Sequence, residues 1–205
     1  MPGLLRPATA ADAAALAAIY RPYVLETPVS FEQQPPDAAE MAARIAKAQS
    51  RWAWLVHEGA DGRVLGYAYA GAYAERPSYR WSVMTSVYSL PERRRRGDGR
   101  ALYTALLGLL RLQGFEQAMA GITLPNPGSE GLHAAMGFEP VGVYRRAGFK
   151  LGRWHDIGHF QRPLQNVSGE DPTWPVPAET RTLADVLASA QGQAVLAAGQ
   201  SLLKA

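Results

Sequence analysis

Val87-Tyr88-Ser89-Leu90-Pro91-Glu92-Arg93-Arg94-Arg95-Arg96-Gly97-Asp98-Gly99-Arg100-Ala101-Leu102 reads as a strand that runs into an arginine- and glycine-rich turn, which in turn opens a long helix. The N-terminus of a helix presents unpaired N–H groups and a partial positive charge, and both suit a pyrophosphate. Glycines at the turn let the backbone approach phosphates with no Cβ in the way, and the arginines add charge. No Gly-Lys-Ser/Thr is present, so this is not a Walker loop. Only two glycines stand at the turn, so it is not a Rossmann fingerprint either. On its own the stretch also fits a solvated basic turn or a basic patch for nucleic acid.

Outward from this turn, Leu102, Leu106, Leu109 and Leu110 mark one face of the helix, and Gly114 can end it. Ala118 to Leu124 follows as a strand. Asn126-Pro127 has the form of an N-cap and a first-turn proline, with Gly137-Phe138 closing that helix. Two strands come next, near Phe138 to Ala147 and Trp154 to Arg162. Upstream, Leu4-Leu5-Arg6 reads as a strand. Thr9-Ala10-Ala11-Asp12 reads as a capping box ahead of a helix carrying Leu16, Ile19, Tyr20 and Tyr23. A loop from Pro28 to Pro36 holds Val29-Ser30-Phe31-Glu32, and a second helix with Met41 and Ile45 follows Asp37. Trp52 to His57 and Val64 to Tyr73 are strands around the turn signal Gly59-Ala60-Asp61-Gly62. Trp81 to Leu90 is the strand that enters the basic turn. The order β-α-α-β-β-β-α-β-α-β-β predicts an α/β fold, a mixed central sheet flanked by helices.

After Leu164 the texture changes. Asp171-Pro172-Thr173-Trp174-Pro175-Val176-Pro177 reads as a proline-rich linker. Thr182-Leu183-Ala184-Asp185 is another capping-box pattern, and Leu183, Val186 and Leu187 begin an apolar stripe that Gly192 and Gly199 weaken. The expectation is a domain over residues 1–164 and a C-terminal helical extension over 165–205. That extension either docks on the domain or serves as an arm for a partner.

The composition fits a chain with a core: 47% of its 205 residues are hydrophobic and 19% charged. A net charge of +3 permits an anionic ligand without requiring nucleic acid. A nucleic-acid surface would need more basic residues interleaved with exposed aromatics, so no nucleic-acid partner is expected. There is no cysteine, which removes disulfides, thiolate nucleophiles and zinc–thiolate sites, and no metal is expected. Met1-Pro2-Gly3-Leu4-Leu5-Arg6 lacks the apolar region of a signal peptide. No run of about 18 apolar residues occurs, so the expectation is a cytoplasmic protein with no membrane partner.

Arg94-Arg95-Arg96-Gly97-Asp98-Gly99 is similar to the signature Gln/Arg-x-x-Gly-x-Gly/Ala of the GNAT superfamily of acetyltransferases. Trp81-Ser82-Val83, Ser86-Val87-Tyr88, Pro140-Val141-Gly142-Val143 and the run Gly148 to Gly158 resemble its phosphinothricin and methionine-sulfone acetyltransferase branch. So does Val29-Ser30-Phe31-Glu32, and the resemblance covers roughly Leu4 to Leu164. It implies a GNAT fold and an acetyl-CoA-dependent N-acetyltransferase for a small amino-acid-like amine, in a homodimer. It assigns the pyrophosphate to Arg94, Arg95, Arg96, Gly97, Asp98 and Gly99. The pantetheine arm falls to the main chain of Val87, Tyr88 and Ser89, with Asn126 and Ser129 contributing. It gives His133 the role of general acid toward the departing thiolate, and it places Phe31, Tyr73, Arg76 and Lys150 near the acceptor. Four positions depart from the family pattern. Arg95 stands where relatives have glycine, and Asp98 where they have an apolar residue. Ala74 replaces a basic residue that grips the substrate's acidic groups, and Met84 replaces the glutamate that takes the ammonium proton. That proton then has His133, Glu75, Glu32 or water as alternatives. Met84 also keeps open a CoA-binding paralogue with weak or no catalysis, acting as a sensor or regulatory module.

Overall fold

The computed structural model describes residues 3–165 and 176–204, so most of the expected proline-rich linker lies outside the described residues. Seven strands form one sheet: β1 (Leu4–Pro7), β2 (Trp54–Glu58), β3 (Val64–Ala72), β4 (Ser82–Ser89), β5 (Gln117–Leu124), β6 (Glu139–Lys150) and β7 (Arg153–Pro163). Their spatial order is β1-β2-β3-β4-β5-β7-β6. Every neighbouring pair is antiparallel except β4 and β5, which are parallel. The parallel step is the one that needs a crossover, and the helix after the basic turn supplies it.

The helices are α1 (Ala13–Leu25), α2 (Ala38–Gln49), α3 (Asp98–Gln113), α4 (Pro127–Ala135), α5 (Leu183–Ala188) and α6 (Ala190–Gln200). Strand alternation sends Trp54, Val56 and Tyr67 to one face of the sheet, under α1 and α2. Leu55, Ala68, Ala70 and Val83 go to the other, under α3. The α/β architecture with a mixed sheet therefore follows the alternation read in the sequence. One start differs: the Thr9 capping box closes a short 3-10 turn, Ala10–Asp12, before α1 begins at Ala13. Arg6 donates to both oxygens of Asp12 at 2.8 and 2.7 Å.

The described part of the tail lies along α3. Leu183, Val186 and Leu203 are buried in the same core as Leu102, Leu106 and Leu110. Gly108 and Gly199, on α3 and α6, make this contact tight. A Cβ on Gly108 would come within 2.6 Å of Val195, and one on Gly199 within 2.8 Å of Ala105 and 2.9 Å of the Ala101 carbonyl. Gly192 likewise sits against the Val186 carbonyl. The expectation that Gly192 and Gly199 weaken the tail's apolar stripe is thus corrected. Both are buried, and they let the backbones approach closely.

Candidate active site

β4 and β5 pair only from Ser82 to Met84 against Gln117 to Met119. Beyond that β4 continues with β3 as far as Ser89, and β5 with β7 as far as Leu124. The two strands therefore splay, and the gap is lined by Thr85, Val87, Tyr103, Ile122, Ser129 and His133, among others. Thr85 closes its lower end by donating from Oγ1 to the Met119 carbonyl at 3.1 Å. The Leu90 N–H donates to the Leu65 carbonyl, and Tyr88 lies opposite Tyr67 in the same register. Antiparallel pairing alternates in twos, so Ser86 and Tyr88 turn their main-chain groups to β3, while Val87 and Ser89 turn theirs to the gap. The expectation for Tyr88 is corrected accordingly: its main chain is committed to the sheet. Its ring packs edge-on against Tyr20 and Tyr23. The Tyr23 hydroxyl donates to the Ser89 carbonyl at 2.6 Å.

The gap leads straight to the basic turn. Gly97 is the N-cap of α3 with φ of 94°, a conformation that favours glycine. Arg95 also has positive φ, 62°, where the family pattern has glycine. Arg94, Arg95 and Arg96 are exposed and make no side-chain hydrogen bond or ion pair among the described residues. Two positions have other roles than phosphate contact through the side chain. A Cβ on Gly99 would come within 2.9 Å of Leu132, so this glycine admits α4 against α3. Asp98 points inward, 2% exposed. It accepts from Arg93 Nε and Nη2 at 2.8 and 2.9 Å and lies 3.5 Å from His57 Nδ1. Burial pushes its carboxyl up, but the contacts with His57 and Arg93 outweigh this and hold it at about 2.

Asn126 caps α4, its side-chain oxygen accepting from the Ser129 N–H at 3.1 Å. The Ser129 carbonyl can only accept, so the 2.8 Å contact from His133 Nδ1 fixes a proton on that nitrogen. Nε2 is then the acceptor in the neutral ring and takes the proton of the Tyr103 hydroxyl at 3.1 Å. Burial lowers the His133 pKa, partly offset by the Ser129 carbonyl, while burial raises that of Tyr103. At neutral pH both are uncharged. His133 thus addresses the gap together with Tyr103. The sequence offered no sign of that partner, because a tyrosine on a helix's apolar face reads as core.

On the opposite face of the sheet, Met84 lies across from Gly71. A Cβ on Gly71 would meet nothing within 4 Å. Beside it is a cavity of about 250 Å³ lined by Trp54, Tyr67 and Tyr69, with Arg44 and Lys47 also on its wall. Trp54 and Tyr69 stack at 4.3 Å. Glu32 is held by Arg44 at 2.8 and 2.9 Å and accepts from the Tyr20 hydroxyl at 3.0 Å. The Arg44 bonds, opposed in part by burial, keep its carboxyl below the usual range, which makes it a poor base. Lys150 is corrected as a substrate ligand: its ammonium donates to the main-chain oxygens of Val24, Ser30 and Glu32, which uses all three of its protons. It clamps the α1–α2 loop to the β6–β7 hairpin. Phe31, 40% exposed, closes over Gly148 in the same contact. Tyr73 is exposed and packs edge-on with Tyr79 at 5.5 Å, and Arg76 is exposed next to it. Among the described residues no cluster of His, Asp and Glu is suited to a metal ion, and no helix is long and apolar enough to cross a membrane.

The family described as acetyltransferase (GNAT) domain matches residues 5–158. The chain is 41% identical over 172 residues to a phosphinothricin N-acetyltransferase of Streptomyces viridochromogenes, covering 84% of this chain and 93% of that one. It is 35% identical over 178 residues to an L-methionine sulfoximine/L-methionine sulfone acetyltransferase of Pseudomonas paraeruginosa, covering 86% and 100%. Among solved structures, a GNAT superfamily phosphinothricin acetyltransferase from Sinorhizobium meliloti in complex with acetyl-CoA matches with a TM-score of 0.79 at 41% identity, covering 84% of this chain and 94% of that one. The family match spans well over half of the chain, and by it the chain belongs to the GNAT family of acetyltransferases.

Proposed function

We propose that the protein is a cytoplasmic, acetyl-CoA-dependent N-acetyltransferase that acylates a small amino-acid-like amine by direct attack on the thioester. The observation that carries this reading is the continuous path from the unpaired edge of β4 to the N-terminus of α3. In it, Val87 offers a main-chain N–H where the thioester oxygen gains charge. The turn from Arg94 to Gly97 receives the pyrophosphate. As the amine nitrogen bonds to the acetyl carbon and the C–S bond breaks, nitrogen loses a proton and sulfur gains one. Tyr103 and His133, hydrogen-bonded on the wall of the gap, are the groups that handle the proton at sulfur.

The acceptor side favours a less acidic side chain than phosphinothricin. Ala74 and the fully committed Lys150 leave Arg76 as the cation near Tyr73, and the aromatic cavity beside Gly71 offers room for an apolar group. No observation favours the sensor alternative. The test is release of free CoA from acetyl-CoA across a panel of amino acids and amines. Release should be amine-dependent and should favour acceptors with uncharged side chains; no release with any amine would overturn the reading.

We also propose a homodimer. The β6–β7 hairpin exposes Val141, Tyr144, Phe149, Leu151 and Trp154, each more than half accessible, a patch of the kind that marks protein contact. Light scattering at micromolar concentration should give twice the chain mass; a monomer would refute this.

A further inference from the structure

An aspartate at the first position of α3 adds a negative charge beside the turn that is to receive phosphate. The geometry removes the conflict. Arg93 and Asp98 stand at the two ends of the Arg94–Gly97 turn, and the turn needs two residues at positive φ, Arg95 and Gly97. The guanidinium of Arg93 grips both carboxylate oxygens through two N–H groups, and a two-point grip of this kind fixes orientation as well as distance. The pair is charge-neutral as a unit, so Arg94, Arg95 and Arg96 keep their full positive field. Beneath it lies His57 at the end of β2, 1% exposed, with Nδ1 3.5 Å from the carboxylate and without a hydrogen-bond partner among the described residues. The carboxylate is therefore gripped by Arg93 in the turn and packed against His57 in the sheet.

We infer that the Arg93–Asp98 pair, backed by His57, is a positioning device that seats the phosphate turn against β2 and sets it ready for the pyrophosphate of the acetyl donor. This rests on the reading that the turn binds that pyrophosphate. The device acts on the nucleotide half of the donor and leaves the thioester end alone, because Val87 is on β4, His133 is on α4, and Tyr103 stands further along α3, past its first turn. Asp98 and Arg93 are positioning residues, not catalytic ones.

The experiment is steady-state kinetics of the full chain with acetyl-CoA and with S-acetylpantetheine, which lacks the pyrophosphate, on wild type, Asp98→Asn, Asp98→Glu and Arg93→Lys. Losing a charge-assisted bond should raise the KM for acetyl-CoA about tenfold with kcat held within about twofold. The preference for acetyl-CoA over S-acetylpantetheine should fall by the same factor. Asp98→Glu should recover part of it. Should Asp98→Asn fail to fold, Arg93→Lys reads the same ratio from the solvent side of the pair. Equal losses with both donors, or no change with either, would overturn the inference. A wild type that shows no preference for acetyl-CoA would instead overturn the reading of the turn, and the inference with it.

Discussion

Met84 stands half-buried on β4, across from the open face of Gly71, at the position where the family pattern has a glutamate. A thioether accepts no proton, Glu32 is held ionised by Arg44, and the ring nitrogens of His133 are taken by Ser129 and Tyr103. Glu75, which is exposed, and water are what remain, and where neither takes the proton the enzyme captures amine that is already neutral. The rate should climb toward alkaline pH until the substrate itself titrates. A break from His133 would fall below about 6.5, since burial lowers its pKa. Met84→Glu should raise kcat/KM near pH 7 by up to about 10²-fold, the low end for a single general base. A flat wild-type profile from pH 6 to 9 with no gain in the variant would refute the argument. Asp98 gives a second pH effect, on stability. Its folded value of about 2 lies below the ordinary aspartate value of 3.8, so the unfolded chain takes up the proton first as pH falls. The resulting contribution, roughly 2 kcal/mol, is fully present above pH 3.8 and lost as pH drops through about 2. Urea melts of wild type and Asp98→Leu should converge across that window. The sequence showed Asp98 and an arginine to pair with it. It could not show the inward orientation, which brings the carboxylate beside His57, a residue on β2 about 40 positions earlier.

The gap between β4 and β5 was legible only through family resemblance. Strand existence can be read from the sequence within a few residues, and all seven strands lie where they were expected. Where two strands stop pairing depends on what their far ends bond to, here β3 and β7. Docking of the tail was one of two expectations, but its seat on α3 was not legible. Gly108 and Gly199 lower helix propensity locally, and the packing that rewards them involves a segment about 90 residues away. Gly199→Val should push side-chain atoms into Ala105 and the Ala101 carbonyl. Overpacking of this kind costs about 1–3 kcal/mol, and thermal melting should show the loss. If Gly199→Val melts with the wild type, the two helices are not held at the distance described.

For the molecule as a whole, the tail is where composition and packing part. The sequence changes texture after Leu164, and the family match ends at residue 158, yet Leu183, Val186 and Leu203 share a core with α3. At the C-terminal end of α3 the Arg181 N–H donates to the Gln113 carbonyl and the Gln113 side-chain amide donates to the Arg181 carbonyl, and α6 runs back along α3, Val195 meeting Gly108 and Gly199 meeting Ala101. The chain end thereby reaches the N-terminus of α3, where the Leu202 carbonyl lies 3.8 Å from the position a Cβ on Gly97 would take. Two truncations separate the consequences. Ending the chain at Leu164 removes three buried aliphatic side chains, worth about 1.5–3 kcal/mol each, a sum comparable with the entire stability of a small domain. That variant should be largely unfolded or melt far below the wild type. Ending it after Gln200 leaves α6 in place and removes Leu202 and Leu203 beside the turn. This variant should stay folded with a modestly lower melting temperature, and calorimetry should show weaker CoA binding, because the backbone behind Gly97 has lost its backing. A chain ending at Leu164 that folds and binds CoA like the wild type would mean that the tail is dispensable and that α3 is stable without it.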